Sequence, residues 1–380
     1  MNIPYSRQTI NDDDIQAVID VLKSDYLTTG PKVREFEESF AKRVGVKYAI
    51  AMANGTAALH IACLAADLGK DDELITSPLT FAASANCALY CGAKPVFIDI
   101  KPNGLIDESK IEEKITSKTK ILIPVHYSGL PCEMEKISCI AKKHNLIIIE
   151  DASHALGARY NNHSIGDCSY SDMAIFSFHP VKHIATGEGG MIVTNSQEFA
   201  NKIRVLRTHG ITKKQQDLSH NEGSWYYEMQ MLGYNYRLSD IHSALGLSQL
   251  KKLDQFVKRR REIAQEYYNK FKNNPYFEMI YDTPNVKSSY HLFPILLKDQ
   301  YISKKRIIFE EMRKNGLWVQ VHYIPIHLFP YYQKLGYKKG SYPISEEFYK
   351  REISIPIYPG MSDNDVKVVI TTIYQIFEIQ

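Results

Sequence analysis

The sequence predicts an α/β protein: a seven-stranded, mostly parallel sheet followed by a smaller C-terminal α+β domain. Three observations predict it. Short apolar runs alternate with helical stretches through the first half, a long helical pattern starts near Ser239, and apolar runs and helices mix again from Tyr290. Strand-helix-strand alternation requires parallel crossovers, which set helices on both faces of the sheet.

The strands are read from apolar runs at Tyr48 to Met52, Glu73 to Ser77, Pro95 to Ile100, Lys120 to Val125, Leu146 to Glu150, Met173 to Phe178 and Met191 to Thr194. Runs of about 4 to 8 apolar residues fit strands buried on both faces. Helices are expected between several of them, at Thr56 to Ala66, Ala82 to Cys91 and Glu133 to His144. Ligands of such sheets sit beyond the carboxyl ends of the strands, so the residues just after each strand are the first place to seek chemistry.

From Ser239 onward, Ile241, Ala244, Leu245, Leu250, Leu253, Val257, Ala264, Tyr267 and Phe271 keep helical spacing until Asn274-Pro275 stops it. One long connecting helix is predicted. Its Lys258-Arg259-Arg260-Arg261 run reads as a solvated face rather than a nucleic-acid patch. The runs HLFPILL, LWVQVHY and ISIPIY, with helices near Lys304 to Lys314 and Asp363 to Phe377, form the smaller unit. The expected division is a large domain over 1–245 and a connecting helix with a small domain over 246–380.

Composition narrows the function classes. With 44% hydrophobic and 23% charged residues the 380-residue chain is ordinary globular material, not a collagen-like or disordered one. A net charge of +3 is too small for the field that non-specific nucleic-acid binding uses. No apolar stretch approaches the ~20 residues that span a bilayer. The first residues reach Asp12-Asp13-Asp14 without a basic start and an apolar run, so no secretory leader is expected. Six cysteines at irregular spacings, with no C-x-x-C pair, read as reduced thiols of a cytoplasmic protein, and no metal is expected.

The most informative segment is Ser177-Phe-His-Pro-Val-Lys-His-Ile-Ala-Thr-Gly-Glu-Gly-Gly190, between two strands. Its Lys182 is either a surface loop lysine or one desolvated enough to offer a neutral amine for imine formation with an aldehyde. Asp151 closes a central strand; it either caps the next turn or supplies the carboxylate that keeps a pyridine ring protonated. His154 follows three residues later. Asn54-Gly55 and the helix opening at Thr56 form a weak anion site by themselves, because strand-Gly-helix turns are common. Phosphate site, ring-nitrogen carboxylate and imine-forming lysine, in that chain order, are the three attachments pyridoxal phosphate requires.

The sequence resembles the fold-type I pyridoxal-phosphate enzymes, and within them the nucleotide-sugar aminotransferases of the DegT/DnrJ/EryC group. The motifs that carry the resemblance are Leu27-Thr-Thr-Gly30, Asn54-Gly-Thr-Ala-Ala-Leu59, Pro78-Leu-Thr-Phe-Ala-Ala83, Gly92-Ala-Lys-Pro-Val-Phe-Ile-Asp99, Glu150-Asp-Ala-Ser-His-Ala155, the Lys182 segment, Gly233-Tyr-Asn-Tyr-Arg237 and Val321-His-Tyr323. It implies that Lys182 holds the cofactor, Asp151 its pyridinium nitrogen, and that Phe81 stacks on the ring. His154 approaches the phenolic oxygen; Gly55, Thr56 and Ser177 bind the phosphate, joined by Asn235 from a second subunit of a homodimer. Tyr5, Asp25, Tyr26, Leu27, Thr28, Val321, His322, Tyr323 and Ile324 match positions that line the sugar-nucleotide pocket in relatives.

A closer resemblance, through Asp151-Ala-Ser-His-Ala-Leu-Gly157, Arg207-Thr-His-Gly210, Ser243-Ala-Leu-Gly-Leu-Ser-Gln-Leu250, Asn274-Pro-Tyr-Phe277 and Val319-Gln-Val-His-Tyr323, is to the C4 aminotransferases of bacterial pseudaminic acid synthesis. These imply L-glutamate as donor and a 4-keto UDP-sugar as acceptor. The chain departs from the pattern at His183, where close relatives usually carry Pro, and at Ile324, where many carry Lys. An aromatic insertion around Trp225-Tyr226-Tyr227 is longer than the pattern expects. The rival readings are a C3 or different C4 aminotransferase, a sugar dehydratase, which has His in place of the lysine, and a non-catalytic regulator, which would append a DNA-binding module.

Overall fold

The structure is a computed structural model that describes residues 2–379. Seven strands form the central sheet: β1 (Tyr48–Met52), β2 (Glu73–Thr76), β3 (Lys94–Phe97), β4 (Thr119–Ile123), β5 (Ile147–Asp151), β6 (Met173–Ser177) and β7 (Gly190–Thr194). Their spatial order is β1-β7-β6-β5-β4-β2-β3. Only β7 runs against the others, since its pairings with β1 and β6 are antiparallel and the remaining pairings are parallel.

Each strand lies within a residue or two of its expected position apart from the end of the Pro95 run, where the strand stops at Phe97. The reason is burial on both faces: Ile50, Ile75, Ile121, Ile149, Ile175 and Ile192 are all fully buried. Fully burying such a side chain contributes ~1.5–3 kcal/mol. Helices α1 (Asp12–Leu22), α2 (Pro31–Val44), α3 (Gly55–Ala65), α4 (Ala83–Tyr90), α5 (Met134–His144) and α6 (Gln197–Leu206) complete the large unit. A capping box at Asn11 and Asp14 starts α1, and Asn54 caps α3 by accepting the Ala57 N–H at 2.8 Å.

The expected long connecting helix is two helices, α7 (Asp240–Lys251) and α8 (Leu253–Phe271). They part at Lys252, whose ammonium is held by the buried Asp14 of α1 at 2.7 Å. The division expected between 245 and 246 lies inside α7. The basic run on α8 is not the single solvated face that its sequence predicts. Lys258 is solvated, but Arg260 is fully buried, because its guanidinium donates to the carbonyls of Tyr290, His291 and Ile357 at 3.1, 3.2 and 2.8 Å.

A three-stranded antiparallel sheet, β8 (Phe277–Met279), β9 (Phe293–Leu297) and β10 (Glu352–Ile355), with β9 central, packs with α9 (Lys305–Lys314) and α10 (Asp363–Ile379). Its own core joins Tyr267 and Phe271 of α8 to Phe293, Ile295, Val369 and Ile373. The LWVQVHY run departs from expectation: only Leu317–Trp318 is strand, paired with Ile3–Pro4. Beyond it the backbone leaves the ladder, and the His322 N–H is taken by the Glu352 carboxylate at 2.8 Å while the Tyr127 hydroxyl donates to its carbonyl at 2.6 Å. Among the described residues no helix is long and apolar enough to cross a membrane.

Candidate active site

The carboxyl ends of β1, β5 and β6 meet the start of β7 at one place. Gly190 is paired with both Ser177 and Met52, the last residues of β6 and β1. A Cβ at Gly190 would lie 2.6 Å from the carbonyl carbon and oxygen of Asn54, so only glycine lets the Asn54-Gly55 turn come this close. The same turn brings Gly55 against Ser177, where a Cβ on Gly55 would stand 3.0 Å from the serine Cβ. The first-turn N–H groups of α3, which have no helical acceptor, therefore open beside the Ser177 hydroxyl, an arrangement suited to an anion.

Asp151 ends β5 and is 5% exposed. Its Oδ2 accepts the Ser84 hydroxyl at 2.6 Å and its Oδ1 the Ser153 N–H at 3.1 Å. Ser84 in turn lies 2.8 Å from the Thr80 hydroxyl, so a chain of two hydroxyls runs to the carboxylate. Sequence reasoning missed Ser84; the signal was a small polar residue at the buried opening of α4, directly after the Pro78–Ala83 motif.

Lys182 sits half-buried in the loop between β6 and β7. Loss of solvation lowers its ammonium to about 8, with Asp151 opposing the shift and the buried Arg260 cation adding to it. Three buried histidines surround it. The rings of His154 and His291 lie 4.3 Å apart, those of His183 and His291 5.7 Å apart, and Lys182 Nζ is 3.5 Å from His291 Nε2. Burial, foremost, and the neighbouring cations hold all three well below the usual histidine range, so they are neutral. His183, at the position where the resemblance expects Pro, donates to the Ser289 carbonyl at 3.1 Å.

His154 is joined to Tyr323, whose hydroxyl is 3.0 Å from Nε2. Burial holds the Tyr323 phenol protonated, and the two groups share one hydrogen bond. His154 Nδ1 is buried and has no partner among the described residues. Phe81, 61% exposed, stands with its ring 6.2 Å from that of Tyr323, and Tyr5 lies 5.1 Å from the ring of His322. Burial lowers His322 to about 3, and its Nδ1 meets the Ser354 hydroxyl at 2.9 Å.

The structure thus brings together Lys182, Asp151, His154, Phe81, Tyr323, His322 and Tyr5, and sets Gly55, Thr56 and Ser177 at one turn. Val321 is half-buried beside His322, and Ile324 is exposed. The others stand apart. Asp25, Tyr26, Leu27 and Thr28 are exposed, tied to the body through a Thr28–Ser239 bridge and the Leu27 carbonyl, which accepts the Asp240 N–H at 3.1 Å. Asn235 is exposed, bridged through its backbone to Thr208, and its side chain makes no hydrogen bond among the described residues. His291 and Arg260 were not singled out for the site by sequence reasoning, since the first opens an apolar strand run and the second is one of four consecutive basic residues. No group of three or more His, Cys, Asp or Glu residues is arranged for a metal ion among the described residues.

Known proteins are similar to this chain along its whole length. The UDP-4-amino-4,6-dideoxy-N-acetyl-beta-L-altrosamine transaminase of Campylobacter jejuni is 44% identical over 382 residues, covering 99% of this chain and 98% of its own. The spore coat polysaccharide biosynthesis protein SpsC of Bacillus subtilis is 42% identical over 378 residues, covering 98% of this chain and 97% of its own. Helicobacter pylori PseC, an aminotransferase involved in the biosynthesis of pseudoaminic acid, matches in structure with a TM-score of 0.94 at 37% identity, covering 100% of both chains. A family profile matches residues 8–374, nearly the whole chain. Such a match, with the fold shared end to end, means that the chain belongs to the DegT/DnrJ/EryC1/StrS aminotransferase family, whose members work with pyridoxal phosphate.

Proposed function

We propose that the chain transfers the amino group of L-glutamate to C4 of UDP-2-acetamido-2,6-dideoxy-β-L-arabino-hexos-4-ulose, giving UDP-4-amino-4,6-dideoxy-N-acetyl-β-L-altrosamine for pseudaminic acid synthesis. The name of the Campylobacter jejuni relative and the likeness to PseC support this sugar. SpsC, at nearly the same identity, carries a name from spore coat polysaccharide synthesis. That observation favours, as a second reading, transfer to a different nucleotide-sugar. The reaction is proposed for the cytoplasm and for a homodimer.

The observation that carries the chemistry is the Lys182 amine, lowered to about 8 among neutral histidines. A lowered value raises the share of free amine near neutral pH, the form that attacks an aldehyde. The residues present fit pyridoxal phosphate: His154 Nδ1 is a buried polar nitrogen without a partner among the described residues, Phe81 exposes a ring face, and the Gly55 turn leaves first-turn N–H groups beside Ser177. In this reading Lys182 holds the cofactor through Nζ, Gly55, Thr56 and Ser177 hold its phosphate, and the partner's Asn235 completes that site.

When bound, the cofactor supplies an electron sink that makes the donor's Cα–H acidic. Asp151, fixed by Ser84 and Ser153, keeps the ring nitrogen protonated. Once the donor amine displaces it, Lys182 Nζ takes the proton from the donor's Cα, and in the second half-reaction it delivers one to the sugar at C4. Tyr5, Val321, His322, Tyr323 and Ile324 orient the sugar-nucleotide from one side, with Asp25, Tyr26, Leu27 and Thr28 contributed from the exposed segment.

The test is the purified protein with glutamate and the 4-keto sugar, read by NMR of the product. An amine at C4 is expected. An amine at C3, or no reaction while another 4-keto sugar is consumed, overturns the substrate, and normal turnover by Lys182→Ala overturns the lysine.

A further inference from the structure

We infer that His291 is a positioning residue for this reaction: its Nε2 accepts an N–H from Lys182 Nζ and holds the lysine in place whenever the lysine is free of the cofactor. The inference rests on the assignment of Lys182 proposed above. Its basis is geometric. Of the groups that face Lys182, namely Asp151, His154, His183, Arg260, His291 and His322, His291 is the one within hydrogen-bond reach of Nζ, at 3.5 Å. That distance is at the long limit for a hydrogen bond, as contacts between catalytic groups often are before substrate binds.

The backbone around His291 is built to aim it. Tyr290 takes a left-handed φ of 48°, uncommon for a bulky residue and a local cost of order 1 kcal/mol or more. Three bonds hold it there: the Tyr290 N–H donates to Ser288 Oγ at 3.0 Å, and Arg260 Nη1 donates to the carbonyls of Tyr290 and His291. The buried arginine on α8 therefore grips the segment from behind while the histidine ring stands against His154 in front. His291 is 2% exposed and neutral, and its Nδ1 has no partner among the described residues. With Nε2 accepting from lysine, the single imidazole proton lies on Nδ1.

A freed lysine has four rotatable side-chain bonds, and losing that freedom anew at each proton transfer slows both half-reactions. An acceptor at a fixed point keeps Nζ close to where the proton must be taken and returned. Because the acceptor favours the ammonium over the amine, it also keeps Lys182 from falling further below its lowered value.

The experiment compares wild type with His291→Gln, His291→Asn and His291→Phe. Gln places its carbonyl oxygen near the Nε2 position, Asn near Nδ1, and Phe keeps the ring without an acceptor. In holoenzyme carrying the amine form of the cofactor, which leaves Lys182 free, acylation of Lys182 is followed against pH by peptide mass spectrometry. Asn and Phe are expected to lower the midpoint by about one pH unit, the size of a hydrogen bond to a charged group, and Gln to keep it near wild type. Turnover should fall about tenfold in kcat for Asn and Phe, with KM for glutamate unchanged and Gln recovering most of the loss. Unchanged midpoints in all three variants overturn the inference, and so does a Gln variant that behaves like Asn and Phe, because ring packing is then what matters. If Phe does not fold, as read by thermal unfolding, the Gln and Asn pair decides by itself. Turnover by Lys182→Ala is the separate control: it sinks the lysine assignment, whereas an inactive Lys182→Ala with unshifted His291 variants sinks only the role of His291.

Discussion

Ser84 donates its hydroxyl to Asp151 Oδ2 at 2.6 Å, linking the opening of α4 to the end of β5. The carboxylate is buried, so this donor and the Ser153 N–H replace much of the water it has lost. Removing the donor by Ser84→Ala should cost about tenfold in kcat while the cofactor still binds, since a hydrogen bond to a charged group contributes ~1.5–3 kcal/mol. Asp151→Asn should cost several hundredfold or more, because a buried charge pair loses ~3–5 kcal/mol when one partner goes. Steady-state kinetics of both variants beside cofactor absorbance checks this; near-native rates in Asp151→Asn would reduce the residue to a turn cap.

Gly190→Ala tests the close approach of β7 to the Asn54-Gly55 turn. The new Cβ meets backbone 2.6 Å away, which cannot step aside as a flexible side chain can. Overpacking of this kind costs ~1–3 kcal/mol. Cofactor affinity, measured by fluorescence titration, is expected to weaken tenfold or more, with a lowered melting temperature. Unchanged affinity would mean that the turn does not form the phosphate site.

Stability should fall on mild acidification. His154, His183 and His291 are held well below the usual histidine range and His322 at about 3, chiefly by burial. Below pH 6.5 the unfolded chain binds protons that these folded-state rings refuse, so unfolding becomes more favourable as pH falls. Each ring that stays neutral weakens the fold further as pH falls below 6.5, while His126, raised to about 10, and Glu352, raised to about 8, bind protons in the fold and offset part of the loss. Melting temperatures between pH 7.5 and 5.5 measure it, and His291→Phe should flatten the slope by one ring's share. A slope in His291→Phe equal to that of wild type would contradict a neutral His291 in the fold.

Shared active sites predict complementation. If the partner's Asn235 completes the site that holds Lys182, a heterodimer of Lys182→Ala and Asn235→Ala chains has one site with both defects and one with neither. Random reassembly makes about half the dimers mixed, so roughly a quarter of wild-type sites return. Two inactive single variants whose reassembled mixture stays inactive would show that Asn235 is not shared.

Sequence by itself determined the strands and the order of the chemical groups. Two-sided burial writes a strand such as Ile147–Asp151 as an unbroken apolar run, and a parallel sheet puts its carboxyl ends, with Asp151 and Ser177, on one side. Motif order likewise pointed to Lys182, His154 and Phe81. Tertiary structure alone decided what supports them. Ser84 reaches Asp151 across 67 residues, Lys182 meets His291 across 109, and Arg260 binds the Tyr290 carbonyl across 30. No local periodicity records such pairs, because each depends on where separate elements pack. The Arg260 reading failed for that reason: hydrophobic pattern marks a basic run as solvated, whereas a buried guanidinium is stable when packing delivers carbonyls to it. The Lys252–Asp14 ion pair at the junction of α7 and α8 is likewise invisible to local pattern, since it joins residues on two separate helices.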